Sequence, residues 1–162
     1  MALSDRIAVM EAGRIAQVGA PRDIYDRPAT RFIAEFVGDA NLFDGIVDHQ
    51  DAGGTVVRAE GLAEPIAVVD GMRFPAGSAV TVVLRPEHVR LGGRPAAGGS
   101  GMTATVEALA YQGNACLAQV RLAGGRPLRV LRTAAEDAAR PIAKGDVIEI
   151  GWRPADLRLV PR

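Results

Sequence analysis

The spacing of apolar residues changes character as the chain proceeds. Arg6 to Met10 and Arg14 to Val18 read as two short strands around the turn Glu11, Ala12 and Gly13, which predicts a β-hairpin. Gly19 ends the second strand. Ala20 to Pro28 predicts a short helical turn around Ile24 and Tyr25, which Pro28 keeps from continuing. Thr30 is a good N-cap for a helix over Arg31 to Val37, and Gly38 closes it. Phe32, Ile33, Phe36 and Val37 form an apolar stripe on that helix. A helix this short is marginal alone, so the stripe is a candidate interface, covered either by the chain's own β region or by a second copy.

From Asn41 onward the pattern is one of short strands separated by turn residues, the signature of an antiparallel barrel or sandwich. The strands expected are Leu42 to Val47, Thr55 to Ala59, Ile66 to Val69, Ala79 to Arg85, Thr103 to Tyr111, Ala115 to Leu122, Leu128 to Arg132, and Val147 to Trp152. Gly113 with Asn114, and Gly124 with Gly125, suit tight turns. Thr133 with Glu136 is a capping-box pattern, and Pro141 limits the helix that follows to a turn or two. The stretch Gly92 to Gly101 divides the β region into two halves. It lacks the Gly-Lys-Ser or Gly-Lys-Thr of a phosphate loop and leads into no helical pattern, so it reads as a flexible linker.

The two halves echo each other. Leu84 to Leu91 reads LRPEHVRL and Trp152 to Leu159 reads WRPADLRL. Aligning them also superimposes Gly77 on Gly145, Val80 on Ile148 and Val82 on Ile150. Pro86 and Pro154 lack an N–H and confine the preceding arginine to extended geometry, so each strand ends there with Arg85 or Arg153 at the sheet edge. An arginine beside a carboxylate makes paired, charge-assisted hydrogen bonds, and Glu87 and Asp156 are in place to accept them. Arg85, Glu87, Arg153 and Asp156 are therefore candidate ligand-binding residues. The bland reading is that the prolines only stop strands and that the charges form surface pairs worth roughly 0 to 1 kcal/mol.

Composition narrows the function. At 162 residues the chain suits one domain, or a small domain with an attached arm. Its formal charge is zero, which argues against general binding of polyanions. Lys144 is the only lysine, a bias that reads as base composition before function. Cys116 stands alone, so no intrachain disulfide is possible and a reducing compartment is expected. His49 and His88 have no ligand-like spacing around them, so no metal site is expected. No apolar run approaches the roughly 20 residues that span a bilayer, and the expectation is a soluble, cytoplasmic chain.

The run LSDRIAVMEAGRIAQVGAP followed by IYDRPATRFIAEFVGDANLFDG resembles the C-terminal end of the ATP-binding subunit of a bacterial ABC importer. The remainder, with LRPEHVRL and GWRPADLRLV, resembles the TOBE domain that follows the nucleotide-binding domain in such subunits. The join Val37 to Gly45, a Val-Gly-x-x-Asn-x-Phe-x-Gly pattern, is of the polyamine and ferric-iron importer type. The resemblance implies a mainly β, OB-like barrel of two related half-repeats over residues 41–162. Ahead of it, residues 1–40 would be the hairpin and short helices that end an ABC ATPase domain.

The chain contains no Gly-x-x-x-x-Gly-Lys-Ser or Thr loop, no Leu-Ser-Gly-Gly-Gln signature, and no aspartate-glutamate pair at the end of an apolar strand. No catalytic residue and no cofactor is expected in it, since ATP and magnesium would bind elsewhere in the parent subunit; the chain reads as a truncated frame or excised piece of that subunit. The resemblance implies homodimerisation, with Arg85, Glu87, Arg153 and Asp156 as regulatory or subunit-contact residues, and an intact system that adds membrane permease subunits and a periplasmic solute-binding protein, with the chain peripheral to the inner membrane. A second class of function is a small-ligand or oxyanion sensor using the arginines and backbone N–H groups between the halves. Single-strand nucleic-acid binding ranks below both, because the aromatic residues are few and mostly committed to core positions.

Overall fold

A computed structural model describes residues 4–92 and 100–162. Residues 93–99 of the expected linker lie outside them.

The expected hairpin is present as β1 (Ile7–Glu11) and β2 (Arg14–Gly19). Its turn places Ala12 at φ 48° and Gly13 at φ 77°, the primed geometry that matches strand twist. Helix α1 (Pro21–Asp26) starts on a proline, whose missing N–H is no loss there. In α2 (Arg31–Phe36), the Thr30 hydroxyl accepts the Ile33 N–H at 3.3 Å, the cap anticipated from the sequence. Val9, Ile24 and Ile33 close a small core of their own between hairpin and helices. At about 1.5–3 kcal/mol for each fully buried side chain, this cluster is what holds such short elements in shape. The opposite side of α2 buries Ala34 against Val83 and Val160 of the β body.

The body consists of β3 (Asn41–Asp51), β4 (Gly54–Ala59), β5 (Ile66–Val68), β6 (Ala79–Leu84), β7 (Arg90–Leu91), β8 (Ser100–Tyr111), β9 (Ala115–Leu122), β10 (Pro127–Thr133), β11 (Val147–Trp152) and β12 (Leu157–Pro161). A short helix, α3 (Ala134–Ala139), sits between β10 and β11, opened by the expected capping box of Thr133 and Glu136. The described strands form two curled five-stranded sheets, ordered β12-β6-β3-β4-β5 and β10-β9-β8-β11-β7. Every strand expected from the sequence is present, with β3 and β8 longer than expected.

The duplication is legible in hydrogen bonds. In the first half, Gly77 N–H donates to Val47 O at 2.8 Å and Val47 N–H to Ser78 O at 3.0 Å. In the second, Gly145 N–H donates to Val106 O at 2.8 Å and Val106 N–H to Asp146 O at 2.9 Å. Both valines flank a bulge, before His49 in β3 and before Ala108 in β8. The bulge bends each long strand, and Gly77 (φ 85°) and Gly145 (φ 94°) supply the left-handed backbone that brings the next strand back to it.

The Arg-Pro motifs do end strands, but the chain does not stop pairing there. Each proline opens a single 3-10 turn, Pro86–His88 or Pro154–Asp156, and the segment beyond it joins the other half's sheet. β7 pairs with β11, and β12 pairs with β6. The halves have thus exchanged their last strands, and one continuous core runs between them through Phe43, Val82, Ile150 and Trp152. The Phe43 and Trp152 rings meet at 6.1 Å. Asn41 ties the sheets at a second point, donating to Arg129 O at 2.9 Å and accepting the Arg129 N–H at 2.7 Å, as a ladder residue would.

Candidate functional site at the crossover turns

The two turns are alike in backbone and opposite in surroundings. Arg85 and Arg153 both hold the extended geometry a following proline demands, at φ −72°, ψ 140° and φ −92°, ψ 148°. The ends of the two helices close over Arg85 but not over Arg153, so Arg85 is 5% exposed while the Arg153 side chain stays half in water.

Arg85 spends its donors on the ends of the N-terminal helices. Nη1 donates to Ala34 O (3.0 Å), Gly38 O (3.2 Å) and Asp39 O (3.1 Å), and Nη2 to Tyr25 O (3.0 Å). These include carbonyls that a helix C-terminus leaves without partners and that carry its negative dipole end. The guanidinium also lies 4.1 Å from the Tyr25 ring centre, in cation–π geometry. The Tyr25 hydroxyl donates to Glu87 Oε1 at 2.6 Å. Burial, then that hydrogen bond and the Glu87 charge, push the Tyr25 phenol up to about 12. Burial likewise pulls the Arg85 guanidinium below its usual value. Arg85 and Glu87 are therefore joined through Tyr25 rather than directly, and together they clamp helices α1 and α2 to the β body.

The second turn makes the direct pair. Arg153 Nε and Nη2 donate to Asp156 at 3.0 and 2.8 Å, and the Arg153 N–H adds a third bond at 3.1 Å. Burial acts to raise the Asp156 carboxyl, but these hydrogen bonds and the arginine charge outweigh it and hold the group below the ordinary aspartate value. Asp44 is held down similarly, its burial outweighed by bonds from Thr81 and Arg31. Because both are lowered in the folded state, the stability they contribute is present above the ordinary carboxylate value of about 4 and is lost as pH falls below it through the lowered folded values. Unfolding followed by Trp152 fluorescence is expected to show declining stability from about pH 5 to 3, with a shallower decline in Asp156→Asn. An unchanged slope would remove Asp156 from the account.

The proposed helix stripe is divided. Ile33 is fully buried in the chain's own small core, Phe32 and Val37 are half-buried against it, and Phe36 is 67% exposed, stacked on Phe32 at 5.5 Å. Ala34, which the periodicity did not pick out, makes the contact with the β body. Tyr25 was also missed as a site residue, as was Arg158, which occupies in the second half the place of Arg90 in the first. No group of three or more metal-ligating side chains occurs among the described residues. Nor is any helix among them long and apolar enough to cross a membrane.

A mainly β, OB-like body made of two strand-exchanged halves with matching Arg-Pro turns is a TOBE-type domain. Residues 82–160 match the TOBE domain family. The crystal structure of the cytoplasmic molybdate-binding protein ModG, with molybdate bound, superimposes with a TM-score of 0.65, covering 84% of this chain and 99% of that one at 18% identity. The likeness extends beyond that domain. The spermidine/putrescine import ATP-binding protein PotA of Thermobifida fusca is 33% identical over 99% of this chain. The putrescine transport ATP-binding protein PotG of Escherichia coli K12 is 32% identical over 94%. Over nearly its whole length the chain is similar to the C-terminal portion of bacterial ABC importer ATP-binding subunits. It spans 42% of the length of the first relative and 41% of the second.

Proposed function

We propose that this chain is the accessory and dimerisation segment of an ABC importer ATP-binding subunit, acting where ATP hydrolysis is coupled to solute import. The observation that carries the proposal is that the similarity to such subunits covers 99% and 94% of the chain, taking in the N-terminal helices as well as the TOBE body. The Arg85 clamp then has a purpose: it fixes the body's orientation on residues 1–40, which in this reading complete a nucleotide-binding domain, while 41–162 form the accessory domain. ATP and magnesium belong to the rest of such a subunit, so the isolated chain binds neither and hydrolyses no ATP. The remaining partners are a second copy, membrane permease subunits and a periplasmic solute-binding protein, with the assembly on the cytoplasmic face of the inner membrane.

Light scattering over a wide concentration range is the direct test. A dimer that dissociates on dilution is the expected result, and a monomer at every concentration would end the dimerisation reading. Phosphate release from purified chain at the level of a buffer blank is expected in parallel.

A second reading, that the TOBE body takes a small oxyanion, draws on the shared fold with a molybdate-binding protein. Support also comes from the open clefts beside the second crossover turn, lined in part by Arg85 and Arg158.

A further inference from the structure

We propose that the seam between helix α1 and the second crossover turn binds a compact oxyanion, with Arg158 and Arg27 as its principal donors. The inference rests on the second reading above and gives it a site, one distinct from the arginines that the sequence echo highlights.

Two clefts of about 240 and 540 Å³ meet along this seam, sharing Pro28, Ala155 and Arg158 as walls. Four arginines (Arg22, Arg27, Arg85, Arg158) and three aspartates (Asp26, Asp70, Asp156) line the pair. The aspartates are already engaged. Asp26 takes Arg22 Nε at 3.2 Å, and Asp156 takes Arg153. Asp70 accepts the main-chain N–H of Met72 at 2.9 Å and of Leu159 at 2.6 Å. Only Asp70 lacks a cationic partner among the described residues, and both its oxygens already take main-chain N–H bonds.

Three of the four arginines are in the reverse condition. Among the described residues, Arg27, Arg85 and Arg158 have no carboxylate within 4.0 Å. Arg158 is half-buried and fixed by carbonyl oxygens alone: Nε donates to Asp26 O at 3.1 Å, and Nη1 to Ala155 O and Leu157 O at 2.7 Å each. Those bonds orient the guanidinium without neutralising it and leave Nη2 with no partner among the described residues. Arg27 is exposed, makes no side-chain bond among the described residues, and lines the larger cleft together with Arg158. A fixed guanidinium with its Nη2 free, and a second guanidinium on the same cleft, suit a tetrahedral oxyanion, which accepts N–H bonds from several sides. His88 lies in the wall of the smaller cleft with its buried Nδ1 also unpartnered. Arg85 contributes charge only, since its Nη groups are committed to the helix ends.

Calorimetric titration of the full chain with sulfate, phosphate and molybdate, at constant ionic strength set with chloride, tests the site. Saturable binding is expected, weakened about tenfold or more in Arg158→Gln and in Arg27→Gln, the loss of one charge-assisted contact. Arg58→Gln, which breaks a pair with Asp48 away from the seam, should bind as wild type. Arg27 is exposed, so its variant carries the test even if Arg158→Gln unfolds. Absence of saturable binding in the wild-type chain overturns both the site and the oxyanion reading. Binding retained at full strength in both seam variants overturns the site alone.

Discussion

Replacing Arg85 with alanine is expected to release the hairpin and helices from the β body while the body stays folded. The side chain is nearly inaccessible and reaches four carbonyl oxygens, one in each helix and two in the segment Gly38–Asp39 after α2, and its removal leaves each of them short of a donor. Hydrogen bonds from a charged donor contribute about 1.5–3 kcal/mol each, and a shared Nη1 is worth less than three separate bonds. A local loss of about 3 kcal/mol or more is the expectation. The body keeps Asn41 and Arg126 as its own ties: Arg126 donates to Glu60 O at 2.8 Å and to Leu42 O, and lies 4.9 Å from the Phe43 ring. Hydrogen exchange should therefore show residues 5–40 losing protection while β8, β9 and β11 keep theirs. Equal loss across the chain would mean that the N-terminal unit and the body unfold together and that no separable clamp exists. Arg85→Lys should not rescue, because a point charge cannot address four acceptors spread over a planar fork.

The contrast between Arg85 and Arg153 explains what could be read in advance. Local structure was legible because its causes are local: the Thr30 cap, the Thr133 and Glu136 box, the turn at Ala12 and Gly13, and the proline that ends each strand all act within a few residues. The echo located both turns. It could not foresee that one arginine would be buried and the other left in water, since that depends on which arginine the helix ends close over. Likewise β7 and β12 were not expected as strands: β7 has two residues, and the strength of both lies in their partners, β11 and β6, far away in sequence. Periodicity reports which face of a strand is apolar and is silent on which strand lies beside it. Asn41 and Phe43 were visible as parts of a family-like join, yet their work, bonding β10 across the sheets and stacking on Trp152, needs the fold to be seen.

The exchange also fixes how the body should fail. Trp152→Ala is expected to cost about 3–5 kcal/mol, the range for removing a large buried aromatic side chain. The residue is 1% exposed, ends β11 immediately before the second turn, and packs on Phe43 from the other half. If the halves were independent modules, the variant would melt in two steps, with β3 to β6 surviving. Because β12 completes the first half's sheet and β7 the second's, neither half keeps all its strands when the other opens. A single transition at lower denaturant concentration, with the slope of wild type, is the outcome this topology demands. Chemical denaturation followed by far-ultraviolet circular dichroism reads it directly, without relying on the tryptophan that has been removed. A biphasic curve would mean that the exchanged strands contribute little and that each half stands on its own core.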